Sequence, residues 1–261
     1  MTPRPEHRPT GVRRPATPVY DRIGRGYAAQ RRPDPRWQAV IERALGDARR
    51  VVNVGAGTGS YEPRDRRTMA VEPSMEMIRQ RPAGAAPVVR GRAESLPVPD
   101  GSFDAALAVF TTHHWGDPRR GLSELRRVAA RQVVVTWDPT VTARWWLVAD
   151  YLPEIVAYER GLATVTAVAT GLAGAHVTTL PVPADCVDGV LGAHWARPEA
   201  YLDPAVRGGM SSLALLPTSV VEPAMARLRA DLRSGLWHRR HGDLLADTEA
   251  DVGYRLVVAG R

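Results

Sequence analysis

The stretch Val51-Val52-Asn53-Val54-Gly55-Ala56-Gly57-Thr58-Gly59 is the part of this chain best suited to holding a charged small molecule. Its first four residues have the character of a buried parallel strand, and the glycines form a turn at the carboxyl end of that strand, where α/β proteins bind ligands. Glycine lets the backbone approach a ligand closely and tolerates positive φ. Glu72 closes the next apolar run, Met69–Val71, 17 residues after Gly55. An acid at about that offset can accept hydrogen bonds from ribose hydroxyls.

Two nucleosides suit these residues. A dinucleotide calls for G-x-G-x-x-G with its pyrophosphate on a helix N-terminus, but here the third glycine comes one residue early. The following turn, Tyr61-Glu62-Pro63, carries an acid. A carboxylate is unfavourable beside a pyrophosphate and harmless beside the sulfonium and ammonium of S-adenosylmethionine. The reading therefore favours S-adenosylmethionine, with a nicotinamide dinucleotide as the alternative.

Several elements must position these residues. Tyr20–Arg32 reads as an entry helix, and Asp34-Pro35 starts a second helix whose Trp37, Val40, Ile41, Ala44 and Leu45 share one face. Strands are expected at 50–54, from about 68, near 87–90, at 105–110, 133–137 and 176–180, and at 254–259. Helices are expected at 74–80, 117–130, 142–160 and 162–173, with others near 188–192, 198–202 and 220–235. The pattern predicts an α/β fold with a mostly parallel seven-stranded sheet and a helical cap.

Further motifs follow in order: Gly91-Arg92-Ala93-Glu94-Ser95, Phe103-Asp104, and Phe110-Thr111-Thr112-His113-His114-Trp115. Together with the glycine turn and Glu72-Pro73-Ser74, they closely resemble the class I S-adenosylmethionine-dependent methyltransferases of the UbiE/type 11 kind. The resemblance covers roughly residues 20–138 and implies a Rossmann-like fold whose seven-stranded, mostly parallel sheet has an antiparallel last strand, with a helical cap. It implies that Asn53, Gly55, Ala56, Gly57 and Gly59 line the methionine part of the cofactor, and that Glu72 holds the ribose, with Pro73, Ser74 and Met77 beside the adenosine. Arg92, Ala93 and Glu94 would border adenine, although the family often has Asp where Arg92 stands. Phe110 and Thr111 would face the sulfonium, and Tyr20, Tyr27 and Arg31 would close over the cofactor from one helix, the last two on one face. His114 and His113 are the candidate catalytic bases, His114 matching the more typical family position. Trp115, Trp145, Tyr151, Glu154, His194, Trp195 and Tyr201 are the candidate substrate residues. No metal site is expected, because no His/Cys/Asp cluster has ligand spacing.

Composition and element order divide the chain into a disordered tail (1–18), N-terminal helices over the cofactor (19–49) and a cofactor-binding core (50–138). The remainder, 139–261, completes the sheet, with a substrate cap at about 139–160 and 181–253. All 35 basic residues are arginine and the formal charge is +7, but the arginines are scattered among acids, so nucleic acid is not the expected partner. The lone Cys186 excludes an internal disulfide and reads as a buried apolar residue. No apolar run is long enough to span a membrane, and the expected protein is a cytoplasmic monomer or homodimer. The expected activity is methyl transfer to O, N or C of a small metabolite, of secondary or quinone-like metabolism. An RNA or protein methyltransferase and a non-methylating cyclase of the same fold are the alternatives.

Overall fold

Among the described residues, four helices are entered through an Asp-Pro dipeptide: Pro35–Leu45, Pro118–Val128, Pro139–Thr142 and Pro204–Gly208. In each, the aspartate side chain accepts a hydrogen bond from a backbone N–H of the first turn, at Arg36, Arg120, Thr140 and Ala205 respectively. Proline fits the first helical position, where its missing N–H is no loss, and such a cap contributes about 1 kcal/mol. A computed structural model describes residues 20–23, 31–159 and 162–260. The expected tail 1–18, Tyr27 and the expected entry helix between residues 24 and 30 lie outside the described residues.

The strands are β1 (Arg50–Val54), β2 (Arg67–Glu72), β3 (Val88–Arg90), β4 (Phe103–Val109), β5 (Ala129–Trp137), β6 (His176–Thr179), β7 (Val182–Pro183), β8 (Glu249–Ala250) and β9 (Tyr254–Gly260). Seven form one sheet in the order β3-β2-β1-β4-β5-β9-β6. β9 runs antiparallel to both its neighbours, and the remaining pairs are parallel. This is the expected Rossmann-like sheet. The order reverses between β1 and β4, and the crevice outside the carboxyl ends at such a point is where open α/β sheets bind ligands.

Alternation along the central strands fills a core on each face of the sheet. Val51, Leu107 and Val133 pack with Trp37, Ile41 and Leu45 on one side. Val52, Ala106 and Val134 pack with Leu122, Leu125 and Val168 on the other. Strands buried on both faces read as near-continuous apolar runs, which made β1 and the end of β5 recognisable.

The region beyond β5 differs from expectation. The helix expected over 142–160 is broken into Pro139–Thr142, a π-helical turn at Leu147–Tyr151 and Glu154–Glu159. Pro153 disfavours helical geometry at the residue before it, and Leu152 sits at φ −135°, ψ 55°. Residues 188–192 are not helical, and Pro198–Leu202 is a 3-10 turn. The helix expected at 220–235 spans Thr218–Arg233. Pairing of β7 with β8 was not anticipated; it ties Val182 to Ala250. Arg31 lies in non-helical chain, with Pro33 close behind, so the expected helical pairing of Tyr27 with Arg31 does not extend to Arg31. Among the described residues no helix is long and apolar enough to cross a membrane.

Candidate active site

The glycine turn is built by close contact. Gly55 and Ala56 both donate N–H to the carbonyl of Val71 at the end of β2, at 2.8 and 3.2 Å. Gly55 has φ 68°, and a Cβ placed there would stand 1.9 Å from Thr111 Oγ1. No other residue type fits that position without displacing Thr111.

Glu72, 4% exposed, ends β2 directly beneath the turn. Its Oε2 accepts from Gly57 N–H and its Oε1 from Ser74 N–H, each at 2.8 Å. Burial pushes its pKa up, and the two backbone donors and nearby Arg81 oppose that rise. Ser74 itself is buried: its Oγ caps the helix Met75–Arg79 by accepting from Met77 N–H and donates to Asp21 of the helix Tyr20–Ile23.

A cavity of about 320 Å³ opens over these groups. Of the expected cofactor residues, Tyr20, Arg31, Gly55, Ala56, Gly57, Glu72, Pro73, Met77, Arg92, Ala93, Glu94, Phe110 and Thr111 line it. Three do not: Asn53 is buried and donates to Glu62, Gly59 faces Glu62 and Arg81, and Ser74 serves as the helix cap. Thr58, Ser60 and Tyr61 line it and were missed, although they stand within or just after the glycine turn.

Glu62 also requires a correction. It does not face the cavity but forms a buried pair with Arg81, at 2.7 and 2.9 Å. Its charge is neutralised there, so its presence does not discriminate between a pyrophosphate and a sulfonium. Glu94 similarly spends one oxygen on the backbone N–H groups of Gly116 and Asp117.

β4 delivers the remaining wall. Phe110 follows it with φ 53°, a left-handed conformation that costs a non-glycine residue roughly 1–2 kcal/mol. Such strain gathers at functional sites. The turn aims Phe110 into an aromatic cluster with Trp37, Tyr61 and Tyr254, and Arg31 lies 5.6 Å above its ring. Arg31 pairs with the fully buried Asp188, whose Oδ2 also accepts from Tyr61 OH at 2.8 Å. Tyr61 OH in turn accepts from the backbone N–H of Asp34 at 3.1 Å. Burial would raise the Asp34 carboxyl, but hydrogen bonds from Arg36 and from Val187 N–H outweigh it and hold the group below the usual carboxylate range.

A second cavity of about 60 Å³ adjoins the first. Tyr20, Arg31, Phe110 and His113 line both. His113 rather than His114 therefore reaches both spaces. His114 lines only the first and shares a hydrogen bond with Tyr20 OH at 3.2 Å. The rest of the second wall is Trp137, Thr142, Trp145, Glu159, Met210, Ser211, Ser212 and Tyr254, with backbone from 190–192. Glu159 is 4% exposed and accepts from Trp137 Nε1 at 3.2 Å. Burial pushes its carboxyl up to about 7, against the hydrogen bonds from Trp137 and Ser212.

Few of the expected substrate residues are found here. Trp145 lines the second cavity, and its Nε1 is buried without a hydrogen-bond partner; Trp115 lines the first. Tyr151, Trp195 and Tyr201 are instead core of the cap, their polar atoms donated to Asp231, the Val182 carbonyl and the Leu191 carbonyl. Glu154 is exposed at a helix start. His194 lines neither cavity, and burial first, then Arg197, pushes its pKa down to about 4. Trp137 was missed, although its place at the carboxyl end of β5, on the ligand side of the sheet, is a signal that could have found it. Glu159 carried no sequence signal beyond lying in the cap.

A family model for the methyltransferase domain matches residues 52–135. A solved structure from Anabaena variabilis ATCC 29413, assigned as a methyltransferase from an antibiotic biosynthesis pathway, is 30% identical with a TM-score of 0.83. That likeness covers 89% of this chain and 99% of the other. An uncharacterized methyltransferase of Bacillus subtilis strain 168 is 29% identical over 116 residues, 40% of this chain and 42% of that protein. The demethylmenaquinone methyltransferase of Deinococcus radiodurans is 28% identical over 179 residues, 63% of this chain and 72% of that protein. The chain thus spans less than half the length of the first curated relatives it matches.

This chain belongs to the class I S-adenosylmethionine-dependent methyltransferases. The larger cavity fits the family's cofactor: a buried carboxylate lies under it, its rim is glycine backbone that a Cβ at Gly55 would disrupt, and Ala93 and Met77 supply apolar wall.

Proposed function

We propose that the protein methylates a small organic acceptor held in the second cavity while S-adenosylmethionine occupies the first. When bound, that cofactor supplies an electrophilic methyl group on a neutral leaving sulfur. The observation carrying the proposal is the shared wall: Phe110 and His113 border both spaces, so the two occupants meet there. In this reading Glu72 holds the ribose hydroxyls, the backbone of Gly55–Gly57 borders the methionine part, and Ala93 N–H serves adenine. Arg31 and Tyr20 close the junction and exclude water. Orientation of this kind contributes several kcal/mol, up to roughly 7–11 in the best cases.

The chain's own groups are enough for an acceptor that ionises readily, and His113 is the side chain placed to take a proton from one that does not. Two relatives favour small metabolites: one acts on a quinone precursor, and the other is assigned to an antibiotic pathway. The antibiotic-pathway relative favours a role in secondary metabolism. The test is incubation with methyl-labelled S-adenosylmethionine and a panel of phenols, hydroquinones and amines. Label appearing in an acceptor supports the proposal, and cofactor binding without transfer to any acceptor class counts against it.

A further inference from the structure

The second cavity holds one buried acid that the methyl-transfer reading does not use. Glu159 ends the helix Glu154–Glu159 and stands in a wall where Phe110, Trp137, Trp145, Met210 and Tyr254 supply rings and apolar chain beside the polar side chains of Arg31, His113, Thr142, Ser211 and Ser212. One of its oxygens accepts from Trp137 Nε1, and Trp137 lies edge-on to His113, 4.3 Å between ring centroids. The acid is therefore linked through one side chain to the border between the two cavities. A carboxyl in such surroundings is costly to bury unless its remaining lone pairs are used. Ser212 lines the same cavity.

Resting on the proposed function, we infer that Glu159 is a substrate-anchoring residue, and that the second cavity takes a compact aromatic ring whose hydroxyl donates a hydrogen bond to its carboxyl. The ring would pack among the aromatic walls, where offset and edge contacts add to area burial. The other titratable groups lining the cavity are Tyr20, Arg31, His113 and Tyr254. A neutral O–H donor meets the acid without adding charge to a dry space.

The experiment compares hydroquinone with 1,4-difluorobenzene, a ring of similar size with no hydroxyl, by titrating tryptophan fluorescence in the full chain with and without S-adenosylhomocysteine. Wild type is expected to bind hydroquinone about tenfold tighter, although the fluorinated ring is the more apolar. Glu159→Leu should erase or reverse that preference, and Glu159→Gln, which keeps an acceptor oxygen, should retain most of it. Unchanged binding of S-adenosylhomocysteine by both variants shows that the fold and the first cavity are intact. A wild type that does not prefer hydroquinone, or a Glu159→Leu variant that keeps the preference, overturns the inference. Failure of wild type to bind the nucleoside while the hydroquinone preference persists would instead defeat only the methyl-transfer reading.

Discussion

The carboxylate of Glu72 reaches from the end of β2 to the backbone N–H of Gly57, 2.8 Å away, and so ties the acid to the glycine turn before any nucleoside arrives. Its second oxygen is held by Ser74 N–H, so the side chain is fixed from both ends. Each oxygen keeps a lone pair for a further donor. A group held this firmly loses little freedom on binding, which favours affinity.

Gly55 is the residue of the turn that tolerates replacement least. Gly55→Ala places a methyl against Thr111 Oγ1 and adds left-handed backbone strain of roughly 1–2 kcal/mol. The variant should unfold at lower urea concentration and bind S-adenosylhomocysteine poorly. Adding Thr111→Ala should recover part of the stability and not all, because the φ of 68° remains.

Arg31 and Asp188 are a buried pair joining the chain just before the helix Pro35–Leu45 to the cap, with side-chain exposures of 8% and 0%. Arg31→Ala leaves Asp188 with Tyr61 but without a cation. Breaking such a pair from one side typically costs about 3–5 kcal/mol. Chemical denaturation should show a loss of that order, and Arg31→Ala combined with Asp188→Asn should be less destabilised than Arg31→Ala alone.

Glu159 makes stability depend on pH. Its folded value is about 7, against an ordinary 4.5, so between those values the folded protein holds a proton that the unfolded chain has released. Stability from this group is greatest below the lower value and falls as pH rises through the upper, by about 3 kcal/mol. His194, pushed down to about 4 from 6.5, acts in the opposite direction over much of the same range. The two partly cancel in the wild-type curve. The difference between wild type and Glu159→Gln isolates the acid: relative to the variant, wild type should lose stability from pH 5 to pH 8. A flat difference contradicts the assignment.

Tyr151 provides a contrasting case. Its hydroxyl donates to Asp231, at 2.8 Å, inside the cap. Tyr151→Phe should cost about 1 kcal/mol of stability and leave S-adenosylhomocysteine affinity unchanged. A large loss of affinity would return Tyr151 to the binding site.

The central sheet and the cofactor cradle were legible because they rest on local chemistry. Val51–Val54 and Val133–Val135 are buried on both faces, and a run of valine announces that directly. Gly55, Glu72 and Phe110 sit at carboxyl ends of strands, a position readable once the strands are placed. The cap was not legible, because an aromatic residue has the same appearance whether it lines a pocket, like Trp145, or fills a core, like Trp195 and Tyr201. Packing between distant segments decides which. Asp188 reads in the sequence as the start of a cap helix, yet it is buried by partners 157 and 127 residues away. Glu159 looked like one more helix acid, and only the fold brings Trp137 and Ser212 against it.

The most direct test is calorimetric titration with S-adenosylhomocysteine of wild type and Glu72→Ala at equal, confirmed folding. Micromolar binding by wild type and a loss of about tenfold or more in the variant, the worth of a charge-assisted hydrogen bond, is the predicted result. No heat of binding with wild type, or equal affinity in the two proteins, would contradict a nucleoside cradle built on Glu72 and the glycine turn.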